Sequence, residues 1–226
     1  MDIKALQRAI GANPDGIWGP KSKALLLEWF RNPAADLIRP TELSWAAGQI
    51  GCSILQIKAI WTVESSGRGF DAAGRPKMLY ERHKFHRFTA GYWSPAAFSQ
   101  PSAGGYSRDA DGNGVLDAWD RLSDAIATGA VDAAFMAASW GAFQIMGEWW
   151  DELGYASPFA MAHACVTGEA AHLDMLVRYI RHFKLEDEVR AITSNPDSCR
   201  RFAAAYNGAA YARFNYHTKL AAEMRA

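Results

Sequence analysis

The string WTVESSGRGF, residues 61–70, holds the side chain best suited to chemistry. Glu64 falls in the last turn of an apolar helical pattern, beside Trp61 and Val63. Burial among apolar groups disfavours a charged carboxylate, and the unpaired carbonyls of a helix C-terminus repel negative charge. Both effects raise its pKa. A carboxylic acid still neutral near neutral pH can protonate a leaving group such as a glycosidic oxygen. The competing reading is a solvated glutamate at a helix end.

A second carboxylate, Glu81, lies in MLYERHKF. A hairpin turning between Ala73 and Gly74 predicts that Ser66 faces Glu81, which brings Glu81 beside the end of the Glu64 helix. Two carboxylates flanking a cleft are the equipment of glycoside hydrolysis, and their separation decides between retention and inversion. The alternative is an ion pair with Arg82, Arg75 or Arg68 that braces the hairpin. His83 and His86 can orient a carboxylate or serve as structural hydrogen bonders, and no third ligand stands at metal spacing.

Positioning these groups calls for a mainly helical chain. Ile3, Leu6 and Ile10 fall at helical spacing before Gly11, and the Asn13–Gly16 turn leads to a second helix opening at Pro20. Some thirty residues cannot close a core unaided, so this piece should lean on the larger domain C-terminal to it. The stretch between Pro33 and Pro40 reads as a linker. Thr41 is read as the N-cap of a helix ended by Gly51, and Ser53 as the cap of the Glu64 helix, ended in turn by Gly67 and Gly69. Residues 91–116, rich in Gly, Ser, Pro and Asp, read as an extended loop region. Helical patterns return near 117–128, 131–138, 142–153, 157–164, 168–183, 185–193, 197–206 and 213–224.

Composition sets the outer limits. Half of the 226 residues are hydrophobic and the net charge is zero, which allows a sizeable core and argues against a life spent on phosphate contacts. Charge is unevenly spread: residues 58–92 carry seven Lys/Arg against three Asp/Glu, and residues 105–154 carry two against nine. The widely spaced Cys52, Cys165 and Cys199 read as free thiols. The opening MDIKALQRAI lacks the apolar segment of a signal peptide, so synthesis in the cytoplasm is expected. Asp109, Asp111, Asn113, Gly114, Asp117 and Asp120 follow calcium-loop order, with Asp in the last place where Glu is usual. Asx turns are the alternative. The chemistry itself calls for no metal or other cofactor.

Glu64-Ser65 at a helix end, then Gly141-Ala142-Phe143-Gln144, then Ala205-Tyr206-Asn207-Gly208, resemble the ordered motifs of the goose-type lysozyme and lytic transglycosylase superfamily. More specifically, VESSGRGF, GRPKMLYERHKF, ASWGAFQIMG and AAYNGAAYARFNYHTKLA resemble the phage-endolysin N-acetylmuramidase family. Residues 5–28 separately resemble a helical peptidoglycan-binding domain with an LQ…DGxxGPxT signature. Ser22 replaces its Thr, and most of its upstream helix is missing.

The resemblance implies an α+β, mainly α-helical fold: a lysozyme-like catalytic domain with a small β-hairpin over residues 41–226, preceded by a peptidoglycan-binding-like helical module over residues 1–36. It implies cleavage of the β-1,4 bond between N-acetylmuramic acid and N-acetylglucosamine. Glu64 matches the catalytic acid, Glu81 a glutamate of the same active region, and Gln144, Tyr206 and Asn207 positions that line the cleft and bind substrate. Neutral amides suit sugar hydroxyls and N-acetyl groups, and a tyrosine offers a flat face to a pyranose ring. Ordinary packing is the alternative for all three. Trp140, Trp149 and Trp150 flank Gln144, and for each of them core packing is favoured over sugar stacking. The implied partner is bacterial peptidoglycan, met by a monomer in the periplasm after holin-type release, without nucleic acid or stable membrane insertion. A lytic transglycosylase, a chitinase and a non-catalytic wall-binding protein are the competing functions. Deleting residues 1–36 is expected to weaken wall binding and spare the chemical step.

Overall fold

The computed structural model describes residues 1–65 and 68–225. In chain order the helices begin with α1 (Ile3–Ala9), α2 (Pro20–Trp29), α3 (Pro40–Ile50) and α4 (Ile54–Ser65). Strand β1 (Met78–Tyr80) and α5 (Arg82–Phe88) come next, then α6 (Asp117–Ala127), α7 (Val131–Met136), β2 (Ala138–Trp140) and β3 (Ile145–Met146). The chain closes with α8 (Pro158–Ala164), α9 (Glu169–His182), α10 (Glu186–Arg190), α11 (Arg200–Asn207) and α12 (Tyr216–Glu223). The α+β, mainly helical class read from the sequence holds. The chain folds into two compact units, each assembled from two stretches: Met1–Ala34 with Phe70–Val166, and Ala35–Gly69 with Thr167–Ala226.

In the first unit the N-terminal helices do lean on the rest of the chain. Phe30 is fully buried, with its ring 5.6 Å from Trp140, 5.2 Å from Trp119 and 6.0 Å from Phe159. Large aromatics at such spacing dominate buried apolar area. Trp18 Nε1 donates to Ser123 Oγ at 3.0 Å, and Lys23 Nζ pairs with Asp120 at 2.5 Å. Together these contacts make α1 and α2 part of this core.

The sheet of this unit is antiparallel in the order β1-β2-β3, with Met78 opposite Trp140, Tyr80 opposite Ala138 and Trp140 opposite Ile145. A small hairpin is therefore present at 138–146, inside a region whose pattern reads as helix on both sides. Gly141 (φ 73°) and Gln144 (φ 50°) bend the chain between its strands. The turn expected near Ala73 exists, closed by Asp71 N–H to Arg75 O at 2.8 Å and flanked by a Phe70–Pro76 bridge. Among the described residues no ladder grows from that turn, and β1 pairs with β2 instead. Ser66, the expected partner of Glu81, and Gly67 lie outside the described residues.

The second unit packs α12 along α4 and α3 against α9. Ile57, Ile60, Leu173, Leu176, Ile180, Phe202 and Leu220 form its core. The buried amide of Gln56 reaches the carbonyls of Arg190 (2.7 Å) and Ile192 (3.0 Å), satisfying backbone that no helix or strand would pair. Helix α3 starts two residues earlier than the sequence suggests: Arg39 rather than Thr41 is its N-cap, Pro40 opens its first turn and Gly51 (φ 73°) closes it. The cysteines are free thiols, and Cys165 and Cys199 are buried.

Candidate active site

Helix α4 presents Glu64 because both of its ends are fixed. At the start, Gln56 N–H donates to Ser53 Oγ (3.2 Å) and Ser53 N–H to Gln56 Oε1 (2.8 Å), a reciprocal cap. At the end, Ser65 Oγ donates back to Trp61 O at 2.6 Å. Glu64 is the penultimate helical residue and is half-buried. Asn207, the last residue of α11, donates Nδ2 to Glu64 Oε1 at 3.0 Å. Gly208 comes next with φ 74° and ψ −174°, so its φ is positive as expected while its ψ is extended rather than left-handed helical.

Burial drives the Glu64 carboxyl from its ordinary 4.5 up to about 7, against the Asn207 hydrogen bond and the Lys219 charge, which both favour the anion. The Tyr206 and Tyr216 hydroxyls are pushed upward by their own burial and then by the negative charge of Glu64. Lys219 Nζ lies 5.4 Å from the Tyr216 ring centroid. Such a carboxyl is about half protonated near neutral pH and can deliver that proton. Tyr206 stacks on Phe202 (5.4 Å, 15°) and meets Tyr179 edge-on (5.3 Å). Its ring therefore packs the end of α11 that carries Asn207.

The other residues singled out from the sequence belong to the first unit. Glu81 directly precedes α5, and its backbone N–H donates to Ala137 O at 2.8 Å, which continues the β1–β2 pairing by one step. Its Oε2 accepts from Tyr106 OH at 2.7 Å and lies 3.2 Å from His83 Nδ1. Of the three arginines considered as partners for Glu81, Arg82 binds Gly104 O and Arg75 binds Leu27 O. Partial burial, with the Glu81 hydrogen bond and charge as the next causes, pushes the Tyr106 hydroxyl up to about 12. His86 Nδ1 meets Ser94 Oγ at 2.7 Å, the structural hydrogen bonder of the two readings.

The Gln144 side chain braces its own turn and ties it to the residue before β1, through Nε2 to Lys77 O at 3.3 Å. Oε1 accepts from Ser139 Oγ (3.0 Å), and Nε2 donates to Gly141 O (2.8 Å). Trp140 is fully buried in the aromatic core. In the acidic loop, ligand atoms of Asp109, Asp111 and Asp117 lie within 4.8 Å of one another. The same carboxylates accept from Gly114, Asn113 and Ala110 N–H groups, and Asp120 is taken up by Lys23. Of these, the Asp111 contact to Asn113 N–H has the spacing of an Asx turn, while Asp109 and Asp117 reach across the loop.

In the second unit, then, Glu64, Tyr206 and Asn207 meet around one carboxyl. Reading the sequence missed Tyr216 and Lys219, although they stand three apart on α12 and share a face. It also missed Tyr106, whose loop offers no periodic signal.

Residues 53–226 match the family model for N-acetylmuramidase. A crystal structure of the Burkholderia AP3 phage endolysin superposes with a TM-score of 0.73 at 33% identity, covering 99% of this chain and 83% of that one. No curated protein matches.

Proposed function

The chain belongs to the N-acetylmuramidase family, and from that premise we propose that Glu64 is the general acid with which it cuts the β-1,4 bond between N-acetylmuramic acid and N-acetylglucosamine. It is a peptidoglycan hydrolase, a glycosidase of the bacterial cell wall. The observation that carries the Glu64 assignment is a half-buried carboxyl at a helix end with a proton affinity near 7, held by an amide donor.

In this reading neutral Glu64 protonates the glycosidic oxygen, the bond to the anomeric carbon breaks, and the sugar gains oxocarbenium character. A carboxylate, assigned to Glu81, or the substrate's own acetamido oxygen meets that positive charge. Water then attacks and returns a proton to Glu64. Asn207 and Tyr206 are assigned to substrate binding beside the acid, and Gln144 to substrate binding as well. Mass spectrometry of digested wall tests the water step. Hydrolysed reducing ends are expected, and products lighter by one water would make the enzyme a lytic transglycosylase.

The raised proton affinity also predicts a stability effect. Between pH 4.5 and about 7 the folded chain holds a proton on Glu64 that the unfolded chain has released, so stability falls as pH rises through this window. Glu64→Gln removes the burden of a buried charge. Its Tm is expected to exceed that of the wild type at pH 8 and to match it at pH 4. Equal Tm values at both would show that the carboxyl is not desolvated.

Residues 1–36 are assigned to wall binding. Buried Gln7 donates to Asp15 Oδ1 (2.9 Å) and Ile17 O (3.0 Å) and accepts from Gly16 N–H (2.8 Å), which shapes the loop between α1 and α2. Beside it opens a cavity of about 530 Å³ lined by Asn13, Asp15, Ile17, Lys21 and Leu25, with Ile17 73% exposed. Ile17→Asp is expected to reduce co-sedimentation with purified sacculi severalfold without changing turnover of soluble glycan chains. Unaltered sedimentation would remove the assignment. Among the described residues no helix is long and apolar enough to cross a membrane. Delivery to the wall is assigned to a membrane lesion of the holin type.

A further inference from the structure

We infer that Glu169 is a positioning residue for the catalytic acid, clamping the backbone just beyond the Glu64 helix; the inference rests on Glu64 being that acid. Glu169 opens α9 and is 1% exposed. Its carboxylate makes two backbone contacts: Oε1 accepts from Gly69 N–H at 2.7 Å and Oε2 from Ile38 N–H at 2.9 Å. Its own N–H donates to Asp36 O at 3.0 Å, beside the Asp36–Gly168 bridge. One buried side chain thus ties together the strand-like segment entering α3, the segment leaving α4, and the start of α9.

The fit at Gly69 is close enough to exclude any side chain. A Cβ there would lie 2.4 Å from His172 Nδ1 and 3.3 Å from Glu169 Cγ. His172, one turn along α9, is itself 1% exposed. Gly69 is therefore pressed against Glu169 and His172, and its N–H has a single well-aimed acceptor. Upstream, Arg68 N–H donates to Ser65 O at 3.2 Å. The chain leaving Glu64 is held five residues on by a buried carboxylate from α9. Only a carboxylate serves both N–H groups, because the NH₂ of a glutamine would point a donor at a donor. A small displacement of a catalytic group costs a large factor in rate.

The groups facing Glu64 itself come from other helices: Asn207 and Tyr206 on α11, Tyr216 and Lys219 on α12. Loosening the clamp lets water reach Glu64 without touching these groups, and its proton affinity then drops toward that of an ordinary carboxylate. The alkaline limb of the pH–rate profile should move to lower pH.

The test measures kcat, KM and the pH profile on soluble glycan chains for Glu169→Gln and Gly69→Ala, at a temperature where circular dichroism shows each folded. Val177→Ala, which trims a buried α9 side chain, serves as a control for simple destabilisation. Both clamp variants are expected to lose roughly ten- to hundredfold in kcat, with KM little changed and the alkaline limb shifted acidward. The control should lower Tm with its profile unmoved. If one clamp variant does not fold, Glu169→Asp, which keeps the carboxylate on a side chain one methylene shorter, decides. Folded clamp variants with wild-type kcat and an unmoved limb would overturn the inference while Glu64→Gln stays inactive. A fully active Glu64→Gln would overturn the acid assignment instead.

Discussion

Glu64→Gln is expected to lower kcat on peptidoglycan by roughly 10²–10⁴-fold, the range that a positioned general acid contributes. The amide is close to isosteric with the carboxyl. Its oxygen can still accept from Asn207 Nδ2, so the 3.0 Å contact and the packing of α4 survive. What disappears is the transferable proton. Because the fold gains rather than loses stability in alkaline buffer, an inactive variant cannot be explained by unfolding. Turbidity loss of outer-membrane-stripped cells, measured for wild type, Glu64→Gln and Glu64→Ala, reads the effect directly. The wild-type rate should itself fall as pH rises through about 7, since only the protonated carboxyl can act. Full lysis by the glutamine variant would remove Glu64 from the mechanism.

Phe30→Ala is expected to destabilise the first unit by about 3–5 kcal/mol, the usual cost of deleting a buried aromatic ring. Phe30 has no exposed surface and touches Trp119, Phe135, Trp140 and Phe159. A loss of that size is a large part of the roughly 5–15 kcal/mol that holds a domain folded. Removing residues 1–36 goes further, since it opens the whole aromatic cluster and frees Ser123 and Asp120 of their partners Trp18 and Lys23. Such a deletion is expected to yield protein with a collapsed near-ultraviolet dichroism signal and little activity on soluble chains. This replaces the expectation, drawn from the sequence, that the chemical step would survive. A deletion variant melting near the wild-type temperature would show that the N-terminal helices are dispensable for the core.

The parts of the fold set by local signals are legible in the sequence alone. Ser53 and Gln56 announce the start of α4, Gly51 the end of α3, and the apolar spacing of Ile57, Ile60 and Trp61 the buried face that carries Glu64. The parts set by distant partners are not. Strands β2 and β3 span three and two residues, too short for a period-two signal to register. Strand β2 depends on pairing with β1 some sixty positions earlier and β3 on pairing with β2, so the stretch from Ala142 onward reads as helix. The same cause hides the backbone partner of Glu81. Its neighbour is the end of β2, a partner that hairpin arithmetic around Ala73 cannot supply. Gln144 stands out by its motif, and the motif is explained by a turn that needs its amide to bond Ser139 and Gly141.

The setting of Glu64 also has a consequence in time. Its hydrogen-bond donor and the charged and phenolic groups around it arrive with Tyr206, Asn207, Tyr216 and Lys219, more than 140 residues later in translation. Until the ribosome has delivered them, the nascent carboxyl is hydrated and gives up its proton like any surface glutamate. A chain cut short by a premature stop before α11 therefore cannot digest the envelope of the cell that made it.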